Sequence, residues 1–396
     1  MTVKSLRMLS TLKQDTESCN KMIYFDNSAT TPVCKEAADK AYYMMTECWG
    51  NPSSLHAVGF EAEKEITKAR EEVAKKLGCE ESEIYFTSGG TEANNLAVLG
   101  GADARKRRGN RVVTTAIEHP SVLSAAKELE KQGFEVIYLK PDESGQIPDS
   151  AIYEAINSDT ILVSMMAVNN ETGVQLPLNT VTNAIKRANA PAFFHVDDVQ
   201  GFGKIKINLK KLGIDMMSIS GHKVHAPKGV GAIYISKKAR VNPRAFGGSQ
   251  QKQIRPGTEP VPAICAFGEA IRQLPDEKEE LALVKEIRDR LLEGLKKMPE
   301  VVINSRDDAL PYILNFSCGT VRSETMLHFL SEKGISVSSG SACSKSKPSH
   351  VLEALGYSND RIDSSIRVSF SRYNKPEEAD EFLLALREGL DSLAHR

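Results

Sequence analysis

The sequence predicts an α/β protein, with a large unit on a mixed but mostly parallel sheet and a smaller α+β unit after it. Three observations predict this. Short apolar runs alternate with amphipathic helical stretches through the first 265 residues. Several runs are apolar at nearly every position, as strands covered on both faces must be. From about residue 262 the texture changes to long charged helices with short strands between them. Alternation of the first kind is the pattern of strand–helix units wound into a parallel sheet.

In chain order, the predicted strands of the large unit are EIYFT (83–87), RVVTTA (111–116), FEVIYL (134–139), TILVSMMAV (160–168), AFFHVD (192–197), DMMSIS (215–220) and GAIYIS (231–236). Helices are predicted over 61–78, 91–108, 119–133 and 178–190. The last two strands are joined only by GHKVHAPKGV, too short for a helical crossover, which predicts one antiparallel neighbour. A helix over PAICAFGEAIRQL follows, then one from DEKEELALVKE to the residues before Pro299, laced with Glu and Lys at i,i+4 spacing. Short strands in PYILNFSC, ISVSS and SIRVSFS and a last helix, KPEEADEFLLALREGL, complete the smaller unit. The expected division is a flexible extension over 1–21, a large domain over 35–265, and a small α+β domain from 22–34 with 266–396.

The 396 residues carry 51 Lys+Arg against 52 Asp+Glu, a net charge of −1. That balance gives no electrostatic reason to expect nucleic acid or an anionic membrane as partner. No apolar run approaches the length of a membrane span. Seven cysteines, odd in number and never spaced CxxC, fit a reducing compartment better than disulfides or a structural zinc site, so no metal is expected. The first 21 residues lack a long apolar run and include Asp15 and Glu17, unlike a signal or transit peptide. A cytoplasmic location is expected.

Four stretches carry chemistry. FTSGGTEANN (86–95) runs from a strand through a Gly-rich turn into a helix, where free N–H groups make an anion site. Gly90 allows close approach and the Thr91 hydroxyl can cap or touch a phosphate, although an ordinary capped turn reads the same way. FHVDDVQ (194–200) ends an apolar strand in Asp197, suited to keeping a ring nitrogen protonated and equally suited to capping a helix. Gln200 follows one turn later. SISGHKVHAPKGVGA (218–232) sets Lys223 just beyond a buried strand, where a lysine of lowered pKa can form a Schiff base; a plain surface lysine is the other reading. SVSSGSACSKSKPSHVLEALG (336–356) holds Cys343 in a small-residue loop with Lys345 and Lys347 to favour its thiolate; an accidental cysteine in an interdomain loop is the alternative. No Walker loop and no dinucleotide fingerprint occur.

Together and in this order, these stretches resemble the class V aminotransferases, and within them the NifS/IscS-type cysteine desulfurases. The matching segments run from YFDNSATTP near the start, through NPSSLHAVG, FTSGGTEANN, IEHPSV, VNNETG, HVDDVQ, SGHKVHAPKGVGA, RPGTEP and SSGSACS, to SSIRVSFSR, and so span nearly the whole chain. The resemblance implies a pyridoxal-phosphate-dependent transferase of fold type I. It implies that Lys223 carries the cofactor aldehyde, that His119 stacks on the ring and serves as acid/base, and that Asp197 pairs with the pyridinium nitrogen. Gln200 and Asn170 would bond the phenolic oxygen, Asn170 also reaching substrate. Gly90, Thr91, Ser220 and His222 would hold the phosphate, with Thr258 reaching it across a homodimer interface. Arg367 would clamp the substrate carboxylate as a bidentate fork. Cys343 would accept sulfur from L-cysteine as a persulfide, alanine leaving, and pass it to a sulfur-acceptor protein of iron–sulfur cluster assembly or tRNA thiolation.

The sequence departs from the pattern at three places. The stretch from Cys343 to Pro348 is two residues shorter than in the longest-looped relatives, a departure that bears on how far the thiol would reach and how readily scaffold-type acceptors would be served. Asp198 and Val199 stand where relatives often have small residues. Residues 1–21 have no counterpart. The competing readings are a selenocysteine lyase, a class V transaminase (which needs no cysteine at 343) and a non-catalytic scaffold of the same fold.

Overall fold

A computed structural model describes residues 22–339 and 348–395. Residues 1–21, and with them the N-terminal extension, lie outside the described residues, as does the stretch 340–347 that contains Cys343.

The large unit is a seven-stranded sheet. Its strands are β2 (Ile84–Thr87), β3 (Arg111–Thr115), β4 (Glu135–Leu139), β5 (Thr160–Met166), β6 (Phe193–Asp197), β7 (Met216–Ser220) and β8 (Gly231–Ile235), ordered β2-β8-β7-β6-β5-β3-β4. β3 to β7 run parallel, while β8 is antiparallel to both β7 and β2. The short link after β7 therefore gives the expected antiparallel neighbour. β5 to β8 are buried at every position, which is why their sequences lack in–out alternation.

Helices cover both faces. α1 (Lys35–Thr46), absent from the sequence expectation, and α2 (Ala57–Leu77) pack against α9 (Val261–Arg272). α2 starts four residues before its expected beginning, capped by His56 Nδ1, which accepts from Gly59 N. The helix expected over 91–108 starts at Gly90 and is interrupted: α3 (Gly90–Asn95) passes through a π turn (Leu96–Gly100) into α4 (Gly101–Arg105). α5 (Pro120–Lys131), α6 (Asp149–Ala155), α7 (Leu178–Ala188) and α8 (Leu209–Leu212) complete the large unit. The boundary expected at 265 falls inside α9, which carries the large unit's helical packing on to Arg272.

The smaller unit opens with α10 (Glu277–Leu295), capped by Asp276, whose carboxylate accepts from Lys278 N. Its antiparallel sheet has the order β12-β13-β10-β9, from β9 (Val302–Ile303), β10 (Ile313–Ser317), β12 (Ser338–Ser339) and β13 (Ser365–Ser369). The single strand expected in ISVSS is two. β11 (Ile335–Ser336) pairs with β1 (Ile23–Tyr24), whereas β12 pairs with β13. α11 (Ser323–Glu332), α12 (His350–Ala354), α13 (Asn359–Asp363) and α14 (Pro376–Ser392) fill the spaces. Phe25, Phe316, Phe370 and Phe382 form an aromatic cluster at the centre of this unit, with Phe25 edge-on to Phe370 at 5.1 Å. After β1 the chain leaves the small unit, and Asn27–Thr31 runs across to the ends of β6 and β7.

Candidate active site

All five strand-end motifs open on one edge of the sheet. β2 is parallel to β7 because both oppose β8, so the C-terminal ends of β2, β3, β5, β6 and β7 share that edge. There they deliver Gly90, His119, Asn170, Asp197 and Lys223. Ligands of open parallel sheets bind at such an edge.

Lys223 lies in a 3-10 turn directly after β7. Its Nζ donates to the main-chain oxygens of Ser28 and, at 2.8 Å, Ala29. The N-terminal DNSATT segment thus supplies one wall of the site. Thr31 fixes that wall: its N and Oγ1 both donate to His222 O (2.9 and 3.0 Å), and its Oγ1 accepts from His225 N. Gln200 Nε2 donates to Ser28 O at 3.0 Å, leaving its buried Oε1 without a partner among the described residues.

Asp197 closes β6 and is buried. Its Oδ1 accepts from Val199 N at 3.0 Å and its Oδ2 from Asn94 Nδ2 at 2.7 Å. Burial pushes its carboxyl above the usual range, and the charges of His119 and Lys223 pull the other way. Asn94 also donates to Ser121 Oγ at 2.9 Å. That hydroxyl stands 2.7 Å from His119 Nδ1, which also accepts from Ser121 N. With its Nδ1 accepting, the neutral ring carries its proton on Nε2. Burial lowers the His119 pKa; the Asp197 carboxylate opposes this, and the charges of Lys223 and His350 add to it.

The Gly-rich turn is close-packed. A Cβ on Gly90 would lie 2.7 Å from Val199 Cγ2 and 3.5 Å from Ser220 Cβ. Val199 thereby fills the space over the turn, and Ser220 stands beside it. Thr91 is exposed at the first turn of α3. His222 Nδ1 lies 3.2 Å from Thr30 Oγ1, and burial with the neighbouring Lys223 charge pushes its pKa down to about 4. It is a neutral hydrogen-bonding group at pH 7. Thr258 is exposed and meets none of these residues. Its segment is held by Gln251, which accepts from Phe86 N at 2.8 Å, and by Arg255, whose Nε donates to Glu92 at 3.1 Å.

Arg367 reaches the site from β13. Its Nη1 donates to Asn170 O at 3.0 Å and its Nη2 to Asp26 Oδ1 at 2.9 Å, while its buried Nε has no partner among the described residues. Asn170 belongs to a tight turn organised by Asn169, whose Oδ1 accepts from Glu171 N and Thr172 N. Sequence reasoning did not single out Asn94, Ser121, Asp26 or the Ser28–Ala29 carbonyls. Asn94 had a visible signal, because it lies one helical turn beyond Gly90 in the same motif.

The family model for aminotransferase class V matches residues 23–382. The chain belongs to the class V aminotransferase family. This family member is 42% identical over 379 residues to cysteine desulfurase IscS of Methanosarcina thermophila, covering 94% of this chain and 93% of that one. It is 41% identical over 380 residues to cysteine desulfurase IscS of Serratia proteamaculans, with the same coverage. Among solved structures it superposes on a NifS-like protein with a TM-score of 0.89 and 38% identity, over 94% of this chain and all of the other. It superposes on SspA in complex with cysteine at 0.79 and 35%, over 89% and 99%. The NifS/IscS resemblance and fold type I are borne out. The class V aminotransferase family depends on pyridoxal phosphate, and the site fits that cofactor: Asp197 is a buried carboxylate with one neutral N–H on each oxygen, and Gln200 Oε1 is a buried acceptor with no partner among the described residues.

Proposed function

We propose that the protein is a cysteine desulfurase, taking sulfur from L-cysteine onto Cys343 as a persulfide and releasing L-alanine. The observation that carries this reading is the register of β12 on β13, where Ser338 pairs with Arg367. Cys343 follows Ser339 by four residues, a tether of at most ~14 Å when fully extended. A thiol is thus bound by the chain to the neighbourhood of the arginine suited to a substrate carboxylate. A transaminase has no use for such a thiol.

Pyridoxal phosphate, when bound, supplies an electron sink that acidifies the α-hydrogen of an amino acid joined to it. Its ring nitrogen would sit on Asp197, its phosphate on the N–H groups of the Gly90 turn with Thr91, Ser220 and His222, and its aldehyde on Lys223. Gln200 and Asn170 would face the phenolic oxygen. Arg367 orients the amino acid by its carboxylate, using the unfilled Nε. Lys223 Nζ would take the α-proton, and His119 Nε2 would hold or return a proton beside the substrate thiol. The Cys343 thiolate attacks the substrate sulfur. An S–S bond forms as the C–S bond breaks, its electron pair passes to the β-carbon, and that carbon is protonated to give alanine. Cysteine and one enzyme thiol become alanine and one persulfide with no outside oxidant.

A homodimer is part of this reading. Tyr42, Met45, Trp49, Leu55 and Phe60, on α1, the link after it and the first turn of α2, are large apolar side chains left exposed close together in the chain, as an association surface requires. Thr258, exposed and without a role in its own site, suits a residue that completes the partner's site. Among the described residues no helix is long and apolar enough to cross a membrane; we place the protein in the cytoplasm, delivering sulfur to an acceptor protein of iron–sulfur cluster assembly or tRNA thiolation. The test is incubation of the purified protein with cysteine and a reductant. Sulfide and alanine in equal amounts, with the persulfide on Cys343, support the reading. Keto acid without sulfide points to a transaminase instead.

A further inference from the structure

The turn that holds Arg367 also holds the end of the Cys343 segment. Asn170 O accepts from Arg367 Nη1 at 3.0 Å, and the next residue, Glu171, accepts through Oε2 from the hydroxyl of Ser349. Both Glu171 and Ser349 are buried. The Ser349 hydroxyl also caps α12, accepting from Leu352 N at 3.1 Å, so its one proton is committed to Glu171. Beside it, His350 Nε2 donates at 2.9 Å to the carbonyl of Glu118, the residue before His119. The chain that leaves the described residues at Ser339 therefore returns, six residues after Cys343, onto two strand-end turns of the large unit.

We infer that Ser349 and Glu171 are positioning residues for sulfur transfer, fixing where the Cys343 segment returns relative to the carboxylate clamp. The inference rests on the desulfurase reading. The juxtaposition is specific. A substrate gripped by Arg367 has its β-sulfur at a set place, and the turn carrying Asn170 and Glu171 ties that grip to the anchor of the thiol's segment. Neither Ser349 nor Glu171 is placed to touch the substrate. Loosening the anchor is expected to slow the encounter of thiol and sulfur, because an oriented encounter depends on how the two reacting groups are held. Neither Ser349 nor Glu171 is among the side chains assigned to the cofactor. A buried carboxylate is a strong acceptor for a hydroxyl, which makes the contact a firm tie. Burial pushes the Glu171 carboxyl up to about 7, and the Ser349 hydrogen bond and the Arg367 charge pull it the other way.

The test uses the cofactor-loaded, full-length protein. Glycine serves nearly as well as serine at a helix N-cap, so Ser349→Gly removes the tie with little harm to α12, and Ser349→Thr retains the hydroxyl. Glu171→Ala and the Ser349→Gly/Glu171→Ala double variant complete the set. Cysteine is added in a single turnover, and persulfide on the Cys343 peptide is followed by mass. The expected result is persulfide formation slowed about tenfold in either single variant, no further slowing in the double variant, and recovery in Ser349→Thr. In Ser349→Gly the cofactor absorbance, and the cysteine concentration that half-saturates its change, stay at the parent's values. Parent-like persulfide rates in Ser349→Gly overturn the inference alone. Losses that add in the double variant, or that come with weakened cysteine binding in Ser349→Gly, also overturn it. A parent protein that forms no persulfide at all overturns the desulfurase reading and this inference with it.

Discussion

Asn94 Nδ2 lies 2.7 Å from Asp197 Oδ2, tying the first turns of the Gly90 helix to the end of β6. The same amide nitrogen holds Ser121, and Ser121 fixes His119. One side chain thus braces both the Asp197 carboxylate and the tautomer of His119, the groups proposed to meet the ring nitrogen and the substrate. Asn94→Ala removes a hydrogen bond to a charged group, worth about 1.5–3 kcal/mol. A loss of kcat of roughly 10–100-fold is expected at that cost, with a shifted cofactor absorbance because Asp197 loses half of its support. Asn94→Asp should be worse, since a second acid beside Asp197 forces a shared proton. Steady-state rates with absorbance spectra check both, and a parent-like Asn94→Ala would remove the network from the mechanism.

Lys223 is the lysine that should be trapped on the cofactor. It stands at the shared strand edge with its Nζ on the Ser28 and Ala29 carbonyls. Borohydride reduction of the yellow protein followed by peptide mapping should mark Lys223. A Lys223→Ala chain should retain no reducible adduct, and a label on any other lysine contradicts the assignment.

Dimer exchange tests Thr258. If Thr258 completes the partner's site, mixing Lys223→Ala chains with Thr258→Ala chains gathers both defects into one site of the heterodimer and leaves the other intact. Activity should return toward half of the parent's per heterodimer. A fully active monomer in sedimentation rules the arrangement out.

The parts of this fold legible in the sequence are those that a local pattern records. β5 to β8 show as apolar runs because both faces are covered, and Asp197 and Lys223 stand out as polar residues at the ends of such runs. What was not legible depends on long-range contact. Ser28 and Ala29 act through main-chain oxygens, which carry no side-chain signature, and they meet Lys223 across nearly 200 residues. Asp26 meets Arg367 across 341. The split of ISVSS into two strands follows from two different partners, β1 and β13, and not from its own residues. Asp198 remained without a consequence in the sequence. In the fold it is buried, and its Oδ1 sits where a Cβ on Gly201 would lie at 2.2 Å. Burial and the Asp197 charge hold its carboxyl well above the usual range, against the charge of Lys204.

Cysteine reactivity should separate Cys343 from the described cysteines. Burial pushes the thiols of Cys79, Cys265 and Cys318 up to about 12, so thiolate is scarce at neutral pH. Cys34 and Cys48 are buried. Mild alkylation of the folded protein should therefore modify Cys343 ahead of these five. Cys343→Ser should retain the cofactor absorbance and bind cysteine while sulfide and alanine production falls by orders of magnitude. If Cys343→Ser releases sulfide as fast as the parent, the protein is a lyase and the persulfide step is wrong.

Acid stability should depend on His195, a core residue away from the chemistry. Its ring is buried in β6, with Nδ1 2.8 Å from Ser164 Oγ and Nε2 2.9 Å from Ser218 Oγ, so it stitches three strands together. Burial pushes its pKa from the ordinary 6.5 down to about 3. The unfolded chain therefore takes up a proton below pH 6.5 that the folded protein refuses until about pH 3. Stability contributed by the neutral ring is complete above pH 6.5 and is lost as pH falls through that window, at about 1.4 kcal/mol per pH unit. His222 and His225, lowered to about 4, act in the same direction. Glu118 and Glu171, raised by burial to about 8 and about 7, act oppositely, because the folded protein keeps protons there that the unfolded chain releases above pH 4.5. Those four contributions are common to the parent and to a His195→Gln variant, whose amide can still bond the two serines, and they cancel in the difference. Urea unfolding of both proteins between pH 4.5 and 6.5 should show the parent losing stability more steeply toward acid. The gap should close by about one group's slope as pH falls. Parallel curves would mean that His195 already holds its proton in the fold.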